Sequence, residues 1–312
     1  MGWLGWTLLI VAVLALAGYG LWRWAAATGS AATLEWIDAR FARERPITLA
    51  VRAQYGPHPA QHVELWVPDQ PAADGEPHPL IVFYHGGGWH SGAPADYRFV
   101  ARTLGEHGFA TALVGYRLVP EGRFPAMLED SAAGLAWLAA NAGRHGVHTN
   151  RAVLAGHSAG AYNAVMLALD LQWLEAAGAP SGMVAGVAGL AGPYDFHPFT
   201  SDSAVAAFGH VKSPQSTQPI RFARGDAPPL LLMTGTADDV VRPRNSVALD
   251  RAVRAAGGRS KVIQFEGMGH AGIVMALSRP FRRNGQVMEE LVRFARERLS
   301  RPTSVPIKGG MR

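Results

Sequence analysis

Hydrophobic positions along this chain fall into two regimes. Residues 1–22 carry no charged side chain, and residues 8–16 are continuously apolar. About 20 such residues are what a helix needs to cross a bilayer, and Trp3, Trp6, Tyr19, Trp22 and Trp24 fall where interfacial aromatic side chains sit. From residue 46 onward the pattern changes to short apolar runs separated by longer amphipathic stretches. The runs at 47–51, 62–67, 80–84, 109–114, 152–155, 183–190, 230–233 and 261–265 predict strands. Residues 94–107, 124–144, 161–171, 245–256 and 287–299 predict helices. Tyr55-Gly56-Pro57 between the first two runs predicts an antiparallel pair, and the later alternation of strand and helix predicts a mainly parallel sheet flanked by helices.

The segments between these elements divide the chain. Residues 1–24 are expected to be a transmembrane anchor, with a cleaved signal peptide as the competing reading. A signal peptide lacks its usual basic leader here, although Ala25-Ala26-Ala27 resembles a cleavage site. Arg23, Arg40, Arg43 and Arg45 follow the apolar run, which by the positive-inside rule favours a cytoplasmic catalytic domain. Residues 25–45 read as a linker, helix-compatible from Gly29, that lies on the domain as a spacer, with a sparse apolar stripe at Leu34, Ile37 and Phe41. Residues 46–300 form the catalytic domain. Within it, 193–227 are too long and irregular for a simple connection, and predict a small cap or pocket wall whose Phe196, Phe199 and Phe208 would serve equally as local packing. The tail at 301–312 is expected to be disordered.

Composition changes this picture little. With 48% hydrophobic and 17% charged residues in 312, the chain is long enough for one large α/β domain. The net charge of +5 is spread rather than gathered in a basic stripe, so no nucleic-acid partner is expected. There is no cysteine, which removes disulfides and thiolate chemistry. The 12 histidines show no ligand spacing, so neither a metal nor a cofactor is expected. The oligomeric state has no signature.

The chemistry gathers at the ends of predicted strands. Gly156-His157-Ser158-Ala159-Gly160 reads G-x-S-x-G between a strand and a helix, the context of a nucleophile elbow. His85-Gly86-Gly87-Gly88-Trp89 follows the strand at 80–84. Three glycines there cost backbone entropy, but they let amide groups close on an oxyanion, with the amide of Ala159 as a further donor. Downstream, Asp238 and Asp239 follow the strand at 230–233, and His270 follows that at 261–265. The order serine, acid, histidine is that of the α/β-hydrolases. A serine needs a histidine to take its proton, and the histidine needs a carboxylate to fix its tautomer. Asp238 and Asp239 compete for that role, with Asp130 and Asp195 as weaker alternatives.

HGGGW (85–89), YRLVPE (116–121), FPAMLED (124–130), GHSAG (156–160), GPYD (192–195), SP (213–214), GTADDVV (235–241) and GMGHAG (267–272) together resemble the hormone-sensitive-lipase-like and feruloyl-esterase-like branches of the α/β-hydrolase superfamily. The resemblance covers roughly residues 46–299. It implies an α/β-hydrolase fold and a serine carboxylesterase for small or medium acyl esters. Ser158 would be the nucleophile, Asp238 the acid, His270 the base, and Gly87, Gly88 and Ala159 the oxyanion hole. Two features depart from it: His157 stands where the lipase-like branch usually has aspartate, and the linker leaves little material for that branch's helical N-terminal cap. GHSAGA is also similar to arylformamidases, which makes formamide hydrolysis the alternative reaction. An oligopeptidase is disfavoured because no propeller domain precedes the hydrolase, and a catalytically silent membrane-attached module is disfavoured by the intact residue set. On this reading His85 braces the glycine loop, and His157 packs beside the elbow.

Overall fold

Residues 80–84 are apolar on both sides of the chain, and they become the core of strand β3 (His78–Tyr84). Leu80, Val82 and Tyr84 point into one hydrophobic layer, Ile81 and Phe83 into the other. Such two-sided burial follows from the period of two along a strand covered by helices on both faces. A computed structural model describes residues 31–41, 47–72, 75–282 and 285–300, with scattered positions before residue 17. Most of the apolar N-terminal stretch and the whole tail at 301–312 lie outside these described residues. Among them, no helix is long and apolar enough to cross a membrane.

Among the described residues the sheet has eight strands in the order β1-β2-β4-β3-β5-β6-β7-β8. Strands β1 (Ile47–Gln54) and β2 (His62–Pro68) pair antiparallel, as Tyr55-Gly56-Pro57 predicts, and β2 meets β4 (Ala110–Val114) antiparallel. From β4 onward every pairing is parallel, through β3, β5 (Val147–His157), β6 (Val184–Leu190), β7 (Leu230–Gly235) and β8 (Ser260–Phe265). The carboxyl ends of β3, β5, β7 and β8 therefore converge on one edge, where open parallel sheets place their sites.

Helices α1 (Ala31–Phe41) and α2 (Arg98–Gly105) cover one face together with the closing helix described below. Helices α3 (Ala126–Asn141), α4 (Ala159–Leu169), α5 (Gln172–Ala176) and, further on, α7 (Arg244–Ala255) cover the other. Between them the insertion contributes α6 (Asp202–Phe208), and the last strand leads to α8 (His270–Met275) and α9 (Gln286–Leu299), the closing helix. Expected boundaries shift for local reasons. The helix expected over 124–144 starts after Pro125, whose ring suits a helix start, and stops at Asn141; a 3-10 turn then runs to Gly146 at φ 69°.

Within the stretch expected as a linker, residues 31–41 form helix α1. Helix α1 is docked rather than merely laid on the surface. Leu34 and Asp38, four residues apart on one face, are buried, while Trp36 and Phe41 are exposed. Arg102 of α2 donates to both Glu35 and Asp38, the amide of Phe99 donates to Glu35, and the amide of Arg279 donates to Asp38.

Candidate active site

Strand β5 ends at His157 and α4 begins at Ala159, so the whole reversal falls on one residue. Ser158 sits at φ 54°, ψ −118°, a region in which a side chain is strained. Its amide donates to the carbonyl of Leu190 at 2.8 Å, which pins the turn to the neighbouring strand. The flanking glycines are required by space: a Cβ at Gly156 would collide with the backbone of Gly160, and one at Gly160 with the carbonyls of Tyr84 and His85. Strand, helix and glycine loop thus approach closely around the serine.

The structure brings the three predicted residues into one chain of hydrogen bonds. His270 Nε2 is 3.0 Å from Ser158 Oγ, and His270 Nδ1 is 2.9 Å from Asp238 Oδ2. A carboxylate can only accept, so Nδ1 carries the proton and the lone pair of Nε2 faces the serine hydroxyl. The other oxygen, Asp238 Oδ1, accepts from the amides of Val240 (3.1 Å) and Val241 (2.8 Å), so the carboxylate is held at both ends. Those two amides separate Asp238 from its neighbour. Asp239 is exposed, Asp130 is engaged by Arg117 and Gln61, and the backbone at Asp195 is held by Asn245. His270 is the first residue of α8, directly after Gly269.

Gly87 (φ 118°) and Gly88 (φ 60°) lie in backbone regions that favour glycine, and both line the cavity that holds Ser158 and His270. The carbonyl of Gly87 accepts from the amides of His90 and Ser91, which closes the loop into a tight turn. Ala159 is the first residue of α4, so its amide has no intrahelical acceptor by position. His85 braces this loop as the sequence suggests: Nδ1–H donates to the carbonyl of Gly86 at 2.8 Å, and the ring stacks on Tyr116 with centroids 4.3 Å apart. Burial pushes the His85 pKa down to about 4, so the brace is neutral. Tyr116 donates back to the carbonyl of His85, and Tyr97 accepts from the amide of Gly86. Neither tyrosine stood out in sequence, although Tyr116 belongs to the YRLVPE motif.

The cavity measures about 550 Å³. Its walls include Phe196, Ser203 and Ala204 from the 193–227 insertion, Val240 and Val241 after β7, and Ala31 and Ala32 at the start of α1. The insertion walls the cavity, and Phe196, Phe199 and Phe208 also pack with Trp89 and Tyr162. Among the described residues no cluster of histidine and carboxylate side chains is arranged to hold a metal ion.

Comparison with known proteins places the chain. The BD-FAE family model matches residues 69–253, more than half of the chain. A probable isoprenylcysteine alpha-carbonyl methylesterase of Oryza sativa subsp. japonica is 25% identical over 71% of this chain and 58% of its own length. Esterase LipC of Mycobacterium tuberculosis is 28% identical over 70% of this chain and 59% of its own. The chain thus spans less than two thirds of the length of these curated relatives. Among solved structures, esterase B from Lactobacillus rhamnosus matches with a TM-score of 0.70 at 21% identity, covering 92% of this chain and 96% of that one, a likeness of fold. With strand order, elbow and family match in agreement, the chain belongs to the BD-FAE family and has the α/β-hydrolase fold.

Proposed function

We propose that this chain is a serine carboxylesterase that cleaves small or medium acyl esters through an acyl-enzyme. The observation that carries the reading is the hydrogen-bonded series Ser158–His270–Asp238 opening into a cavity beside the glycine loop. Ser158 Oγ attacks the ester carbonyl carbon while its proton passes to His270 Nε2. The carbonyl oxygen, now an anion, is met by the amides of Gly87, Gly88 and Ala159. As the intermediate collapses, the C–O bond to the alcohol breaks and the proton on Nε2 goes to the departing oxygen. Water then repeats the sequence on the acyl-enzyme and releases the acid. Asp238 holds the tautomer throughout and stabilises the imidazolium that forms at each stage.

A cavity of about 550 Å³ with Phe196, Val240 and Val241 in its wall suits an acyl group of this size. The names of the curated relatives, which are ester hydrolases, support the reaction class. The test is Ser158→Ala. It is expected to abolish labelling by a fluorophosphonate and to lower kcat by several orders of magnitude, leaving roughly 10³ to 10⁴ over water. Normal ester turnover by the folded variant would sink the assignment. Running aryl esters of increasing chain length beside formanilides distinguishes ester from formamide hydrolysis.

We infer also that residues 1–24 attach the enzyme to a membrane, with the catalytic domain on the cytoplasmic face. The uncharged apolar run and the arginines that follow it support this. Retention of the full chain in membranes after carbonate washing is the expected result. A mature form trimmed near Ala27 and found in an extracytoplasmic fraction would overturn it.

A further inference from the structure

His157 carries the one ionisable side chain of the elbow pentapeptide, the mechanism above does not use it, and it stands at the position at which the sequence departs from the aspartate of the lipase-like branch. Its ring is buried, 4.9 Å from that of His270 between centroids. Nε2 lies 3.2 Å from the backbone carbonyl of His270, while Nδ1 is buried with no hydrogen-bond partner. A carbonyl can only accept, so the hydrogen is on Nε2 and Nδ1 presents a bare lone pair. On that side the ring lies against the glycine loop: a Cβ on Gly86 would stand 3.0 Å from Nδ1. The imidazole thus fills the gap between the loop that carries Gly87 and Gly88 and the backbone that carries the base.

A buried acceptor left without a donor is an uncommon arrangement and costs free energy. Leucine of similar volume would have filled the same space without that cost. What leucine could not do is donate to the carbonyl of His270.

We propose that His157 is a positioning residue for the esterase reaction: its Nε2–H fixes the backbone of His270 at the first turn of α8, and its neutral ring sets the distance between the base and the glycine loop. The proposal rests on the serine-esterase reading given above. Neutrality matters as much as the hydrogen bond. When Ser158 gives up its proton, the His270 ring becomes a cation, and a charged ring 4.9 Å away in a water-poor site would oppose that step. Burial holds the His157 pKa down to about 3, with His270 as a smaller contribution in the same direction, so the ring is uncharged in the range where the base works. Nor is the aspartate of the resembling branch an equivalent here. An ionised carboxylate would present an acceptor to an acceptor.

Three substitutions test this in the full chain with a water-soluble aryl ester. Glutamine carries an amide N–H at about the reach of Nε2; asparagine carries the same group too short to arrive; leucine keeps volume and loses the donor. His157→Leu and His157→Asn are expected to lower kcat on the order of tenfold to a hundredfold, as misplacement of a reacting group does, with KM within about twofold of the parent. His157→Gln is expected to stay within about threefold of the parent kcat. A packing role alone predicts the opposite ranking, with leucine tolerated and both amides harmful. The proposal is overturned if the leucine variant matches the parent in kcat, or if glutamine falls as far as asparagine. Should the leucine variant fail to fold, the glutamine and asparagine pair decides, since the two carry the same amide and one methylene sets whether it reaches the carbonyl of His270. A parent chain that neither turns over the ester nor takes a fluorophosphonate label overturns the esterase reading and this one together. An active parent with an unchanged leucine variant overturns this one only.

Discussion

The glycine-built ends of β3 and β5 and the N-terminal helix α1 wall the same cavity, yet they are held by opposite means. Around Ser158 the backbone itself is the fastener: glycines that tolerate no Cβ, a strained serine, and buried histidines and tyrosines that stay uncharged. Helix α1 buries little apolar surface beyond Leu34 and is fixed by ion pairs, with Arg102 lying 2.7 Å from Glu35 and 2.9 Å from the fully buried Asp38. Burial raises the Glu35 pKa by more than Arg102 lowers it, so the helix is docked through charges that pay heavily in desolvation. The difference matches what each part does. The proposed reaction at Ser158 would need atoms fixed to a fraction of an ångström, whereas Ala31 and Ala32 only bound the cavity.

The largest expected effect lies on the rigid side. Asp238→Asn keeps the shape of the site but leaves His270 free to take the wrong tautomer, and is expected to cost on the order of 10⁴ in kcat. Asp239→Asn, at an exposed side chain one position on, is expected to change kcat by less than about threefold. Steady-state kinetics of the two variants give the answer, and a reversed ranking would move the acid to Asp239.

On the charged side the effect is large but local. Arg102→Met removes the partner of two carboxylates, one of them fully buried, and breaking such a pair typically costs about 3 to 5 kcal/mol. An 11-residue helix has little stability of its own, so α1 is expected to detach while the sheet remains folded. Hydrogen exchange should then show residues 31–41 losing protection with β3 and β5 unchanged. Since α1 supplies a wall and none of the reacting groups, kcat for a small ester should move only a few-fold, with the larger change in KM. Loss of all protection together would show that α1 and the site form one cooperative unit, which would erase the contrast.

The same contrast decides what could be read from the sequence. The hydrogen-bonded series Ser158–His270–Asp238, the turn at Ser158 and the glycine loop were legible because each demands particular residue types next to a strand end, and the chain order of Ser158, Asp238 and His270 adds a constraint that spacing alone lacks. Choosing Asp238 over its neighbour took the resemblance; the two amides that hold its second oxygen belong to a turn whose geometry no local pattern reveals. The docking of α1 was not legible. Its partners Arg102 and Arg279 are 67 and 241 positions away from the acids they hold, and nothing local connects them. One trace was present: Leu34 and Asp38 are four apart on one helix face, and an acid beneath an apolar position is a sign that a buried cation awaits it. The roles of His157 and Tyr97 were hidden for a related reason, since each acts on the backbone of a residue brought close only by the fold.

The smallest effect separates the two sides by proton rather than by mutation. His85 is pushed down to about 4 by burial, from an unfolded value near 6.5, so between those values the unfolded chain binds a proton that the folded chain refuses. Stability contributed by the neutral form is therefore complete above pH 6.5 and is lost as pH falls toward 4. The shift corresponds to about 3 kcal/mol at most for a fully buried group. His157 adds a loss of the same sign extending to about pH 3. Asparagine at position 85 places an amide N–H near the position of Nδ1 and has no proton to gain, so His85→Asn should keep the bond to the carbonyl of Gly86 and flatten the fall of Tm from pH 6.5 to 4. The parent and the variant should converge as the pH drops, the variant being the less stable of the two only near neutrality. Parallel Tm curves across that range would mean that His85 is charged in the folded state, and the glycine loop would then be braced by an ion like α1.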